Sequence, residues 1–530
     1  GKCNVDNVLF TQSERDDNES RQYPGRQRSL GADNMRDLAY LKLLSREYPN
    51  IRAAASDIIN LQAICGLPKG TEYFFSDLHG EHEAFIYLLR SSSGIIREKI
   101  RETFGHIISE EDEVRLANLI YYPEKMINQI KQANEYTEDW QKTAVYRLVQ
   151  ICREVSSKYT RSKVRKKMPK EFSGVIDELL YVDNTDDNKT EYYSELINTL
   201  IDVRVADSFI VVICSLIRSL TIDNLHILGD IFDRGPRPDI ILEELMHFHD
   251  VDIQWGNHDI SWMGAATGNR ACICNVLRMA LGYNGFDVLE DGYGINLRPL
   301  SMFAERVYRD DPCTCFLPQI LDKNIYDAVD PKLAAKMHKA IAVLQYKEEG
   351  QIIKRHPEYG MEERILLSAI RYDRGTVTID GKEYPMRDMN FPTVDPADPL
   401  RLTDEEEELL HTLELSFRHN ARLHEHVRFL YSNGSMYKCC NSNLLYHGCI
   451  PMTENREFDG LMVGGKMYRG KELMDFIDTQ VKNAYFLPED APEKEACRDF
   501  MWYLWNGAKS PVFGKDKNRS FEHYFIEDPE

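Results

Sequence analysis

Three short segments of this chain hold residue types that can gather divalent cations: Asp77-Leu78-His79-Gly80, Gly229-Asp230-Ile231-Phe232-Asp233-Arg234-Gly235 and Gly256-Asn257-His258-Asp259. Together they offer carboxylate, imidazole and amide oxygen donors. Such a mixture suits Mn, Fe or Zn better than the all-oxygen shells of Ca or Mg. Singly, an Asp-x-His pair or an Asp-Arg-Gly turn means little, because a short motif is a hypothesis until its structural context is known. As an ordered set they read as a dinuclear metal site acting on a phosphate ester.

The context is a strand before each segment. Tyr73-Phe74-Phe75, Leu225-His226-Ile227-Leu228 and Val251-Asp252-Ile253-Gln254-Trp255 have strand length and apolar content. In open α/β sheets functional groups collect beyond the carboxyl ends of parallel strands, so ligands from three strands can converge. The glycines suit the sharp turns required there. A fourth candidate strand, Asn443-Leu444-Leu445-Tyr446, ends at His447-Gly448.

Helices account for much of the rest. Residues 1–30 lack apolar periodicity and read as a flexible tail. Leu38, Leu41 and Leu44, then Ile51, Ala54, Ile58 and Leu61, show helical spacing on either side of Pro49, which should separate two helices. The gap from His79 to Asp230 far exceeds the roughly 30 residues of a strand–helix–strand crossover. Leu119, Met126, Ile127 and Ile130, then Val145, Leu148, Val149 and Cys152, make it a mainly helical insertion. A second gap follows Asn257. Within it Gly375 to Pro385 reads as a hairpin around Asp380-Gly381, and Thr403 with Glu406 forms a capping box opening one long helix through Leu409, Leu413, Phe417 and Leu423. His419, His424 and His426 are read as packing or surface histidines. The expected plan is an α/β core interrupted twice: tail 1–30, N-terminal helices and first metal strand 31–94, helical insertion 95–204, core 205–300, second insertion 301–430 and core again 431–530.

The net charge of -21 over 530 residues argues against nucleic-acid binding, which needs a basic face to release counterions. A small anionic substrate must then meet local positive charge. Lys158, Arg161, Lys163, Arg165, Lys166, Lys167 and Lys170 form a basic run, most simply a solvated helix face and alternatively an anion site for substrate or effector. The longest apolar stretches, such as Phe209 to Cys214, are too short to span a bilayer, and no basic-then-apolar leader opens the chain. The 12 cysteines lack zinc-ribbon spacing, which fits thiols in a reducing cytoplasm.

Asp-x-His, Gly-Asp-x-x-Asp-Arg-Gly, Gly-Asn-His-Asp and a strand ending in His-Gly resemble the calcineurin-like metallophosphoesterase superfamily. Longer segments narrow the likeness: Ser157 to Lys163, Glu290 to Leu300, Gly434 to Tyr437, Leu444 to Pro451 and Lys509-Ser510-Pro511 are similar to the class III fructose-1,6-bisphosphatases of Firmicutes and related anaerobes. The resemblance implies a β-sandwich flanked by helices, with Asp77 and His79 on the first metal, Asp230 bridging both, and Asn257 and His447 on the second. It also implies His258 as a general acid or transition-state hydrogen-bond donor held by Asp233, and Arg234 as the substrate-phosphate grip. The metal implied is manganese. The reaction implied is hydrolysis of the 1-phosphate of fructose 1,6-bisphosphate to fructose 6-phosphate and phosphate in gluconeogenesis.

Physical chemistry supports these roles separately. Two metals about 3.5–4 Å apart hold a shared oxygen for in-line attack and stabilise charge on the phosphoryl oxygens. A bridge between dications should be a carboxylate, which Asp230 is and Asn257 is not. Arg234 offers a planar fork for phosphate oxygens. An Asp partner orients an imidazole such as His258. One departure stands out: the superfamily pattern has a further Gly-His after the His447 position, and His523 lacks the preceding glycine. The expectation is a truncated product missing strands of the second sheet. Two alternatives remain open, a protein serine/threonine or dinucleotide phosphatase on the same core and an inactive phosphometabolite-binding module. The oligomeric state, including a homo-oligomer, is open as well.

Overall fold

The computed structural model describes residues 30–105, 107–181, 187–319, 329–515 and 519–526, so the tail expected at the N-terminus lies outside them up to residue 29. Helices Leu30–Glu47 and Ile51–Cys65 come first, parted at Pro49 as a proline demands. Asn50 starts the second by accepting the Ala53 N–H at 3.0 Å. These helices belong to a unit of their own that ends at Pro68.

The second unit, from Lys69 onward, is α/β. Its central sheet runs Glu72–Phe75, Asn224–Ile227, Val251–Gln254 and Gly434–Ser435, in that order and all parallel. Strand register puts Phe74, His226 and Asp252 side by side. Because side chains alternate along a strand, they share one face while Leu225, Ile227 and Ile253 occupy the other, where they are fully buried. The strand expected at Asn443–Tyr446 is present, but it pairs antiparallel with Tyr437–Cys440 in a hairpin rather than joining the parallel sheet. Lys438 and Cys440 of this hairpin reach Asp252 and Glu72 on the polar face.

Helix Asn257–Thr267 leaves the third strand and is buried along its whole length. It packs on Arg270–Gly282, which in turn packs on Pro331–Arg355. That long helix buries two lysines completely, each with acid partners: Lys339 with Asp311 (2.5 Å) and Asp388 (2.6 Å), Lys347 with Glu406 (2.7 Å). Pairing is what makes such burial tolerable.

The first long gap is helical, as its spacing predicts. Helices that include Ile95–Phe104, Glu110–Tyr121, Glu138–Ser156 and Ala206–Thr221 build a separate apolar core from Ile96 to Leu220. The basic run sits here: Arg161, Arg165, Lys166 and Lys170 are exposed, as a solvated helix face requires, while members of the run also have acid partners. Lys163 and Lys167 pair with Asp223 at 2.6 and 3.1 Å, Arg165 with Asp177 at 2.6 Å, and Arg161 lies over the Tyr181 ring. Lys163 and Lys167 thus fasten the helix at Asp223 while its other face meets water.

The second gap holds the expected hairpin, Thr376–Ile379 with Lys382–Pro385, whose turn uses positive φ at Asp380 and Gly381. Ile370–Arg371 extends it to three strands, so this segment is not purely helical. The capping box at Thr403 and Glu406 forms. The single long helix does not: it stops at Arg418, and Asn420 caps a new helix, Ala421–Asn433, by accepting the Leu423 N–H. No helix among the described residues is long and apolar enough to cross a membrane.

Candidate metal centre

Asp77, His79, Asp230 and Asn257 follow core strands and His447 follows the hairpin, and the turns after the first two core strands demand unusual backbone. Asp77, His79, Asp230, Asp233 and Arg234 all have positive φ, between 43° and 78°. Non-glycine residues avoid this region, and clusters of exceptions concentrate at functional sites. The loops also touch backbone to backbone. A Cβ on Gly256 would fall 2.2 Å from Asp230 Oδ1, and one on Gly229 would meet His447 Nδ1 at 2.7 Å. Only glycine allows these loops to close.

Asp259 ties the turns together. Fully buried, its carboxylate accepts the backbone N–H groups of Gly256 (3.0 Å), Asp230 (2.9 Å) and Ile231 (2.9 Å). Burial and the nearby Asp230 charge push its pKa up, while those N–H groups pull the other way. Sequence reasoning assigned Asp259 no role, although it closes the Gly-Asn-His-Asp motif.

The five proposed ligands converge. Asp77, Asp230 and His447 form one group of ligand atoms, and His79, Asp230 and His258 form another, with Asp230 common to both. Asp230 is buried, whereas Asp77 is exposed at the mouth. His447 Nε2 lies 3.4 Å from Asp230 Oδ2 and 3.3 Å from Asn257 Oδ1; His79 Nε2 lies 4.0 Å from Asp230 Oδ2 and 3.9 Å from Asp77 Oδ1. The histidine tautomers follow from their other nitrogens. His79 Nδ1 donates to the Phe232 carbonyl (3.2 Å) and His447 Nδ1 to the Leu228 carbonyl (2.6 Å), leaving both Nε2 lone pairs aimed at Asp230. A proton can satisfy one such facing pair of acceptors; a cation satisfies several. Oxygen and imidazole donors with carbonyl-anchored rings therefore fit a metal pair.

The charges agree. Burial opposes ionisation of Asp230, but His447 and His258 outweigh it and hold its pKa below the ordinary carboxylate range. Burial likewise disfavours a charged His447, yet Asp230 lifts its imidazole to about 9. Proton and metal thus compete for one nitrogen.

His258 and Asp233 sit beside the ligands. His258 Nδ1 is 2.7 Å from Asp233 Oδ2 in a buried ion pair, although that oxygen has no well-aligned donor among the described residues. Burial raises the Asp233 pKa, and His258 more than compensates. The His258 ring stands edge-on to His79 at 5.3 Å and to Trp505 at 5.0 Å. The exposed guanidinium of Arg234 lies over the Tyr283 ring. Sequence reasoning singled out neither Trp505 nor Tyr283, since lone aromatics carry no distinguishing spacing. His523, on helix Arg519–Phe525, joins neither ligand group; His424 and His426 bond Tyr485 and Tyr293, as packing histidines do.

Comparison with known proteins agrees with this chemistry. A family described as Firmicute fructose-1,6-bisphosphatase matches residues 39–530. Proteins named fructose-1,6-bisphosphatase class 3 from Clostridium tetani and Bacteroides fragilis are 52% and 51% identical to this chain, each covering 93% of it and 74% of the relative. One from Clostridium novyi is 50% identical over the same shares. No solved structure matches the chain. A chain matched over nearly its whole length and at half identity belongs to the Firmicute fructose-1,6-bisphosphatase family.

Proposed function

We propose that this enzyme is a metal-dependent phosphoric monoester hydrolase that converts fructose 1,6-bisphosphate to fructose 6-phosphate and phosphate, as a step of gluconeogenesis in the cytoplasm. The observation that carries the reading is the sharing of Asp230 by two groups of ligand atoms in a chain half identical to proteins of that name. Those names do not favour a protein or dinucleotide phosphatase. We assign Asp77 and His79, 3.9 Å apart, to one ion, Asn257 and His447, 3.3 Å apart, to the other, and Asp230 to both. This divides the ligand atoms differently from the two clusters above, which set Asp77 beside His447 and His79 beside His258, and it leaves His258 to its partner Asp233. Manganese is the metal we propose, in keeping with a donor set free of thiolate. When bound, the ions supply Lewis acidity, charge neutralisation and an activated water.

The chain's own residues supply the rest. Arg234, which is exposed, meets the phosphate with two parallel N–H donors. Asp233 orients His258, so that its other nitrogen faces the site and gives a proton to the departing sugar oxygen. Trp505 walls the imidazole on one side and limits water around it. Asp259 fixes the turns that set the ligand spacing. In the same reading the parallel sheet and the His447 hairpin belong to a calcineurin-like β-sandwich flanked by helices. Residues 95–204 and 301–430 are its insertions.

The test is phosphate release from fructose 1,6-bisphosphate with added manganese, for the enzyme and its Asp230→Asn and His258→Ala variants. Asp230→Asn should abolish turnover and reduce bound metal. His258→Ala should keep the metal and lose about 10²–10⁴-fold in kcat. Undiminished turnover in Asp230→Asn would sink the metal assignment, and bound metal without turnover in the parent enzyme would leave only a binding module. Sedimentation and effector titrations of the loaded enzyme address the homo-oligomer and the small-molecule effector.

A further inference from the structure

The opposite end of the same strands carries a second constellation. Glu72 opens the first core strand, His226 lies within the second, and Cys440 ends the first strand of the hairpin that delivers His447. Their ligand atoms lie within 4.8 Å of one another. The Cys440 thiol donates to Glu72 Oε1 at 3.6 Å, Asn441 Nδ2 donates to the same oxygen, and His226 Nε2 is 4.0 Å from it.

His226 makes this more than a chance cluster. Its side chain is completely buried, and Nε2 has no hydrogen-bond partner among the described residues. An orphaned buried nitrogen is costly and calls for an explanation. The other nitrogen supplies one. Nδ1 lies 2.8 Å from Asp252 Oδ2, a carboxylate that also accepts from Lys438 Nζ (2.6 Å) and Gln254 Nε2 (2.8 Å). Held by these two donors and kept ionised, Asp252 acts as an acceptor. Nδ1 therefore carries the hydrogen, and the Nε2 lone pair points between Glu72 and Cys440. Carboxylate, imidazole and an open lone pair in line is the arrangement that orients histidine toward a metal. The Phe74 ring, stacked on His226 at 4.8 Å, fixes the imidazole plane.

We propose that Glu72, His226 and Cys440 form a metal site separate from the dinuclear centre, of a kind suited to Zn²⁺. One thiolate, one imidazole and one carboxylate make a borderline-soft set that zinc accepts, with a fourth position left to water. On binding, the Cys440 thiol gives its proton to solvent as sulfur bonds the ion. The site pins the tip of the hairpin to the start of the sheet. His447 hangs from the other end of that hairpin, so the clamp helps hold a catalytic-centre ligand in place.

Cobalt(II) is the probe, because a thiolate bound to it gives a near-ultraviolet charge-transfer band and the dinuclear centre contains no cysteine. Titrating the manganese-loaded enzyme should produce that band and saturate it at one equivalent. Cys440→Ser should abolish it, Cys439→Ser should leave it unchanged, and Asp252→Asn should weaken cobalt binding about 10–100-fold. Circular dichroism of each variant reports folding. The proposal is overturned if the parent enzyme shows no band at saturating cobalt, or if the band survives Cys440→Ser. Neither result bears on the phosphatase reading, which is scored by phosphate release.

Discussion

At the scale of single residues, the centre depends on backbone donors as much as on ligands. Asp259 touches no substrate, yet it holds the Gly256 and Asp230 turns to one another. Asp259→Asn would set an amide N–H₂ against one of the N–H groups that the carboxylate now accepts. We expect kcat/KM for phosphate release to fall about 10–100-fold, the usual cost of losing a group that orients metal ligands. Manganese content after dialysis should fall with it, a readout that a purely substrate-side role would not move. Unchanged metal content and rate would remove Asp259 from the scaffold. The convergence of the candidate ligands was legible in the sequence because chemistry restricts their types and the turns require glycine beside them. Asp259 was less so, since satisfying backbone groups leaves no spacing signature of its own.

At the scale of elements, helix Pro331–Arg355 is unusual in burying so much charge. Lys339 and Lys347 have acid partners, but Glu348, only 7% exposed, is lifted by burial to a pKa of about 7 despite Arg270 and Arg355. A carboxyl whose folded pKa exceeds its unfolded value of 4.5 binds more protons in the folded state between those values. Stability from this group is therefore full below pH 4.5 and is lost as pH rises through 7, at a cost of about 3 kcal/mol. Glu348→Gln should match the parent near pH 4.5 and exceed it in urea unfolding at pH 8. Parallel stability profiles would contradict this.

Elements were legible where periodicity ran unbroken, as in the helical insertion and the Asp380-Gly381 hairpin. They were not legible where one polar residue overrode the pattern. Apolar spacing continues through Leu423, but the Asn420 side chain caps a new helix and divides the run. Gly434–Ser435 is too short to show alternation, and only its pairing with Ile253 and Gln254 makes it a strand. Asp223, the partner of Lys163 and Lys167, is distant in sequence, so only folding reveals where those two charges go.

At the scale of the whole molecule, the proposed dinuclear centre would join turns from three parallel strands and the hairpin. Metal should therefore count as part of the fold. A ligand present at about 1,000 times its dissociation constant adds about 4 kcal/mol to stability. Chelation should lower the Tm, and returned manganese should restore it; His258→Ala should respond like the parent. A Tm indifferent to chelator would mean that the turns hold their shape unaided.

The separate core of the helical insertion also sets an order of events during synthesis. His79 bonds a carbonyl 153 positions away, and His447 bonds one 219 positions away. Contacts so far apart form slowly unless something brings the ends together first. The helices from Ile96 to Leu220 can do this, because their apolar contacts are mutual and all their residues precede the second core strand in the chain. Once packed, they shorten the loop that must close when Phe75 pairs with Ile227. The insertion then acts as a built-in assembly jig for the first two metal turns, and the growing chain becomes able to hold both ions only when the hairpin ending at His447 has emerged.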